Sequence, residues 1–168
     1  MANSTSLDSN PSFAQLSQAV LKGDLKKVAR ELQQQPGLLQ KFPSESAQLL
    51  AIAIRTATKK AGGLDSDNSW DEVQTALKKE RALVDLLIEH GADVNGEPER
   101  QSPLHQAVAL GQPMLVEALV AHGAKTNVAH PGLGTPAQII AKRKGRQSPE
   151  DAKADAEILR LLETPPRK

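Results

Sequence analysis

Apolar residues recur along this chain at helical spacing, interrupted at short intervals by glycine and proline. Phe13, Leu16, Ala19 and Val20 share one face of a helix that Gly23-Asp24 punctuates. Leu25, Val28 and Leu32 mark a second short helix, closed near Pro36-Gly37. A denser apolar segment, Leu49, Leu50, Ile52, Ala53 and Ile54, predicts a third helix ending near Thr56, and KKAGGLDSDNS after it has the composition of a loop. At Ser69 the run SWDE predicts the start of a long helix. Ser69 is placed to cap free amides, Glu72 to bond back, and Asp71 and Glu72 suit the positive helix start. Val73, Leu77, Val84, Leu87 and Ile88 give its apolar stripe, which Gly91 ends at a C-cap position. A helix is predicted from Pro103 to about Leu110. After the break at Gly111, Leu115, Val116, Leu119 and Val120 form its partner, stopped by Gly123. The last pair begins at Thr135-Pro136 and at Ser148-Pro149, the second helix closing on Ile158, Leu159, Leu161 and Leu162.

The pattern also repeats. HGADVN from His90 returns as HGAKTN from His122, so that Gly91 and Gly123, Ala92 and Ala124, and Asn95 and Asn127 are each 32 residues apart. SPLHQA at Ser102–Ala107 is echoed 33 residues on by TPAQII at Thr135–Ile140. A period of this size carrying a T-P-L-H-x-A signal is written by two-helix units joined by β-turns.

On these residues the chain resembles the ankyrin repeat family. Residues 102–128 keep Pro103, Leu104, His105, Ala107, Gly111, Val116, Leu119, Gly123, Ala124 and Asn127 at the family's places. RALVDLLIEHGADVN, 81–95, resembles the closing half of the preceding repeat, and Thr135–Ala141 the opening half of the next. LSQAVLKGDLKKVARELQ, from Leu16, resembles a degenerate first repeat. The resemblance implies an all-α solenoid of about four stacked helix-turn-helix units with short β-hairpin-like connections, the third unit strong, the first and fourth degenerate. It implies a single domain over 13–163, after a flexible leader at 1–12 and before a disordered tail at 164–168. Two segments exceed the family pattern, about 57–80 in the second unit and 144–155 in the fourth. Each is expected to form a loop plus an N-terminal extension of the outer helix.

Composition narrows what such an array does. The chain is 39% hydrophobic but only 2% aromatic, which suits closely stacked small helices and not base-stacking platforms. Its 21 basic and 20 acidic residues leave +1, with no whole-molecule pull toward nucleic acid or anionic membrane. No cysteine is present, so disulfides and thiolate metal sites are excluded. MANSTSLDSNPSF lacks a basic and an apolar signal region, and no run has the length of a membrane helix. A cytoplasmic location is expected, or a nuclear one in a eukaryote. The polar first unit, with Lys22, Lys26, Lys27 and Arg30, and the polar last helix are expected to cap the array at both ends.

Candidate chemistry is sparse. No nucleophile elbow, P-loop, HExxH or dinucleotide fingerprint occurs, so no enzyme, cofactor or metal is expected. The resemblance gives His105 a structural task, bonding neighbouring backbone at the hairpin. His90 and His122 end successive outer helices, where the helix dipole favours a cation, and His130 is expected to be exposed in the second hairpin. Gly132-Leu133-Gly134 reads as a turn and not a phosphate cradle, because no Lys-Ser/Thr follows.

In the family the inner helices and hairpin tips line a concave face, and registering the units by Ala19, Ala53, Ala107 and Ile140 places their inner-helix ends in one row. The row is Leu21-Lys22, Arg55-Thr56, Ala109-Leu110 and Lys142-Arg143. The hairpins add Glu97, Glu99, Arg100 and Gln101, then His130, Pro131 and Leu133. Trp70 either packs against Val73 and Leu77 or the adjacent repeat, or stands as a partly exposed anchor. The expected function is a non-enzymatic protein-binding module, a monomer on its own, that receives an acidic or mixed-charge segment in the groove or uses the 57–80 insertion. It would act as an inhibitor, immunity factor, assembly chaperone or adaptor, with no small-molecule substrate. Two alternatives are a nucleic-acid-associated regulator using the basic cluster Lys142–Arg146 and a secreted bacterial effector that binds a host protein.

Overall fold

The computed structural model describes residues 11–60, 70–96, 101–143 and 149–163. Among these residues the structure is all-α, with no strand and a single isolated bridge pair, His130 with Gly134. The chain divides between Asp93 and Val94 into two compact units.

The first unit contains α1 (Pro11–Lys22), α2 (Leu25–Gln34), α3 (Leu38–Lys41), α4 (Pro43–Lys60) and α5 (Trp70–Glu89). The apolar face of α1 is the predicted one, with Phe13, Leu16, Ala19 and Val20 all fully buried. It packs against α2 and α4, and α5 packs against α4 and α2. Asp24 starts α2 by accepting from the Lys27 amide at 3.0 Å, so the two-residue break at Gly23-Asp24 is itself a cap. α3 is a short helix that periodicity did not reveal; four residues are too few to show a period, but Leu38 and Leu39 are both buried. α4 begins six residues before the expected Leu49. Its start is held by buried Ser46, whose hydroxyl donates to the Pro43 carbonyl at 2.8 Å and accepts from the Asp93 amide at 3.1 Å.

The 57–80 excess follows the expectation only in part. α5 does start early, at Trp70, but the inner helix α4 also runs on to Lys60 instead of ending near Thr56. Ser69, read with Glu72 as a capping box, and the side chains of Glu72, Val73 and Leu77 fall outside what the structure describes. Further along α5, Leu83, Val84 and Leu87 are buried, whereas Ile88 is half-buried. Leu83 lies one position from the expected stripe because α5 meets both α2 and α4, which widens its apolar face.

The second unit contains α6 (Pro103–Ala109), α7 (Pro113–Ala121), α8 (Pro136–Arg143) and α9 (Pro149–Glu163). Each begins with proline at its first position, where the missing N–H costs no hydrogen bond. α6 packs against α7 and α8, and α9 against α7 and α8. The shared core is Leu104, Ala107, Val108, Leu115, Val116, Ala118, Leu119, Ile140 and Ile158. α9 extends N-terminally to Pro149, as the excess at 144–155 predicted.

The 32-residue echo corresponds to one local geometry used twice. Gly91 donates to Ile88 and Ala92 to Leu87, at 2.9 and 3.0 Å; Gly123 donates to Val120 and Ala124 to Leu119, at 3.0 and 2.9 Å. These paired bonds close α5 and α7 and require the positive φ of +95° and +86° that glycine supplies.

Candidate partner-binding surfaces

The 130–134 hairpin is built from α6 outward. Ser102 caps α6 and His105, only 1% exposed, sits at its third position. His105 Nε2 lies 3.2 Å from the Gly134 carbonyl oxygen, which can only accept, so Nε2 carries the proton. Nδ1, 2.7 Å from the Ser102 hydroxyl, therefore accepts from it. This is the backbone-bonding task expected of His105. His130 and Gly134 exchange two backbone bonds of 2.9 Å, closing the hairpin as the turn reading of Gly132–Gly134 required. His130 differs from expectation: it is half-buried, with its ring centroid 5.9 Å from that of His105. The hairpin folds back onto α6, and so the ring has a wall on one side.

Thr135 and Gln138 then start α8 with a reciprocal pair. The Thr135 amide donates to Gln138 Oε1 at 2.9 Å and the Gln138 amide to Thr135 Oγ1 at 3.3 Å. Gly134 has φ +84°, and a Cβ placed there would run into the Gln138 side chain. Gly134→Ala is therefore expected to lose about 1–2 kcal/mol from the backbone conformation alone. Urea unfolding of the full chain reads this loss; a variant as stable as the parent would show that the hairpin tolerates another shape.

Of the inner-helix row, the structure places each part within its own unit. At the end of α1, Leu21 is 55% exposed and Lys22 is exposed beside it. At mid-α4, Arg55 is exposed, while Thr56 is half-buried and its hydroxyl donates to the Ile52 carbonyl at 2.8 Å. In the second unit Ala109 is exposed and Leu110, the C-cap of α6, is 36% exposed. Leu133 and Gln101 are half-buried and Pro131 is exposed. Glu97, Glu99, Arg100 and the side chain of Trp70 lie outside the described residues.

The two cations of the row that lie in the second unit are put to internal use. Lys142 Nζ donates to the carbonyls of Gly132 and Leu133, at 3.1 and 3.0 Å, pinning the hairpin to α8. Arg143 makes a two-point contact with Asp155, through Nε at 3.0 Å and through Nη2, and its Nη1 reaches the Ala109 carbonyl at 3.0 Å. Asp155 is 3% exposed. The expected basic row is thus in this unit a bolt joining α6, α8 and α9.

Around that bolt lies a cleft of about 300 Å³, lined by Ala109, Leu110, Gly111, Arg143, Asp151, Ala154 and Asp155. The repeat pattern does not single out Asp151, Ala154 and Asp155, because their segment exceeds it. The available signal was their i, i+3, i+4 spacing on one helix face, close in sequence to Arg143. A shallower depression in the first unit is lined by Leu25, Lys26, Ala29, Ala82, Asp85, Leu86 and Glu89.

His90 behaves as a helix-end residue, its Nδ1 lying 2.9 Å from the Leu86 carbonyl. On α9, the hydrogen bond from Arg160 holds the Glu157 carboxyl below its ordinary range, and Glu157 in turn raises Arg160. Among the described residues no three His, Asp or Glu side chains gather in metal-binding geometry, and no helix is long and apolar enough to cross a membrane.

A family model described as ankyrin repeats, in three copies, matches residues 16–130. No curated protein and no solved structure matches.

Proposed function

Because the chain belongs to the ankyrin repeat family, whose members are generally protein–protein interaction modules, we propose that it is a non-enzymatic binder that occupies a partner protein through its inner-helix ends. The contacts in this reading are Leu21-Lys22 at the end of α1 and Arg55-Thr56 within α4 in the first unit, and Ala109-Leu110 with the 130–134 hairpin in the second. The observation that carries it is the exposure of Leu21 and Leu110. Each is a large apolar side chain at the end of an inner helix whose other large apolar residues are buried. Such a protein acts by stoichiometric occupation, as an inhibitor, immunity factor, chaperone or adaptor. The internal use of Lys142 and Arg143 weighs against a nucleic-acid role for Lys142–Arg146, since two of its four cations already have protein acceptors.

Quantitative affinity capture with the full chain tests this reading. Covering the exposed part of one leucine is worth about 1 kcal/mol, so Leu110→Ser is expected to weaken partner capture about fivefold while the helical signal is unchanged. Leu21→Ser serves as the parallel variant. Capture that survives both changes but is lost on deleting Gly62–Asn68 would move recognition to the insertion.

A further inference from the structure

We propose that Asn95-Gly96 is a site of self-modification, where asparagine becomes an acid residue at a rate set by its contact with the following turn. The proposal stands apart from partner binding, since its chemistry needs only this chain and water. Asn95 is the only asparagine of the chain followed by glycine; the others precede Ser4, Pro11, Ser69 and Val128. Glycine matters because no side chain crowds its nitrogen and its backbone bends freely. The Gly96 nitrogen bonds to Cγ of Asn95, and the Cγ–Nδ2 bond breaks. The amide proton of Gly96 leaves with Nδ2 as ammonia, and a cyclic imide remains. Water then opens the ring. Attack at Cγ gives aspartate, whereas attack at the main-chain carbonyl gives isoaspartate, with a methylene added to the backbone. In balance, water is consumed and ammonia released, with no oxidation or reduction.

The fold sets how fast this happens. Val94 and Asn95 form a turn, and Asn95 and Gly96 are both half-buried, so water has access to them. Ring closure requires Cγ to come against the Gly96 nitrogen. Both polar ends of the Asn95 side chain are held elsewhere: Oδ1 accepts from the Lys125 amide at 2.9 Å, and Nδ2 donates to the Gly123 carbonyl at 3.2 Å. These partners lie 30 and 28 residues further along the chain. The side chain therefore closes on Gly96 after both bonds are released, and conversion follows the local opening of this contact. Asn127 is the comparison built into the chain. It occupies the equivalent turn and is exposed, but the residue after it is the β-branched Val128, which crowds the attacking nitrogen. Loss of ammonia makes the change one-way, and it leaves a carboxylate where an amide joined two successive turns.

Peptide mapping by mass spectrometry tests this on the full chain, incubated at mildly alkaline pH in water enriched in heavy oxygen. The label marks conversion that takes place during the incubation. In guanidinium chloride, conversion is expected at Asn95, as separate aspartate and isoaspartate peptides, and not at Asn127. In the folded chain it is expected to run about tenfold more slowly, because two hydrogen bonds must open first. Gly96→Val gives position 95 the neighbour that position 127 has, and is expected to stop conversion in guanidinium chloride, where the folding of the variant has no bearing. Asn95 left intact in guanidinium chloride, Asn127 converting equally fast, or an undiminished rate in Gly96→Val would each overturn the proposal. Equal rates in the folded and denatured chains would do so as well, because the contact would then not govern the reaction.

Discussion

Phe13→Ala is expected to cost about 3–5 kcal/mol, the range for truncating a fully buried phenylalanine. Phe13 has no exposed surface and meets Phe42 edge-on, with ring centroids 5.5 Å apart and planes at 85°. The chain has two phenylalanines and one tryptophan, so this contact holds two of its three large aromatic rings. The surrounding core is built from leucine, alanine and valine on short helices, whose backbones have little freedom to close over a hole of that size. Urea unfolding followed by circular dichroism measures the loss, and amide hydrogen exchange locates it in α1, α2 and α4. Phe13→Leu, which keeps most of the volume, is expected to cost under about 1.5 kcal/mol. Equal losses from the two variants would show that ring shape, and not filled volume, holds this part of the chain.

The second large effect is electrostatic and asymmetric. Arg143→Leu is expected to destabilise by about 3 kcal/mol, because it removes the two-point partner of a carboxylate, Asp155, that is held in a buried place. The side chain of Asp155 is 5% exposed, whereas that of Arg143 is 28% exposed. Asp155→Leu is therefore expected to cost less, since the guanidinium left behind can turn toward water and keep its bond to Ala109. Replacing both residues by leucine should recover much of the loss, as no uncompensated charge remains. A double-mutant cycle in urea gives all three values. If Asp155→Leu proves the more damaging single change, the account of which charge is trapped is wrong.

The helices were legible where the chain offers a full turn or more of periodic apolar residues bounded by glycine or proline. α1, α2, α6 and α7 follow the sequence expectation closely for this reason. The same residues carried the family, because Gly91 and Gly123 mark one closure used twice. Legibility failed where structure depends on contact and not on period. α3 is shorter than one period. The early start of α4 depends on the Asp93 amide, 47 residues from its acceptor Ser46. The candidate surface was readable as positions but not as chemistry. Lys142 and Arg143 read as free cations in a basic run, yet their acceptors are carbonyls at 109, 132 and 133 and a carboxylate at 155. Only folding shows that these two side chains have acceptors within their own unit. His130 misled for a similar reason, since its exposure was inferred from a turn whose backbone lies against His105.

Asn95 has one more lesson. Its Oδ1 accepts from the Lys125 amide at 2.9 Å and its Nδ2 donates to the Gly123 carbonyl at 3.2 Å. The two ends of this side chain are thus read in opposite senses by one turn. Aspartate has the same outline but no donor, and it would set an oxygen against the Gly123 carbonyl. The letter shared by positions 95 and 127 is therefore not a property of a solitary rung: at 95 its meaning is a polarity, legible only to the rung that follows.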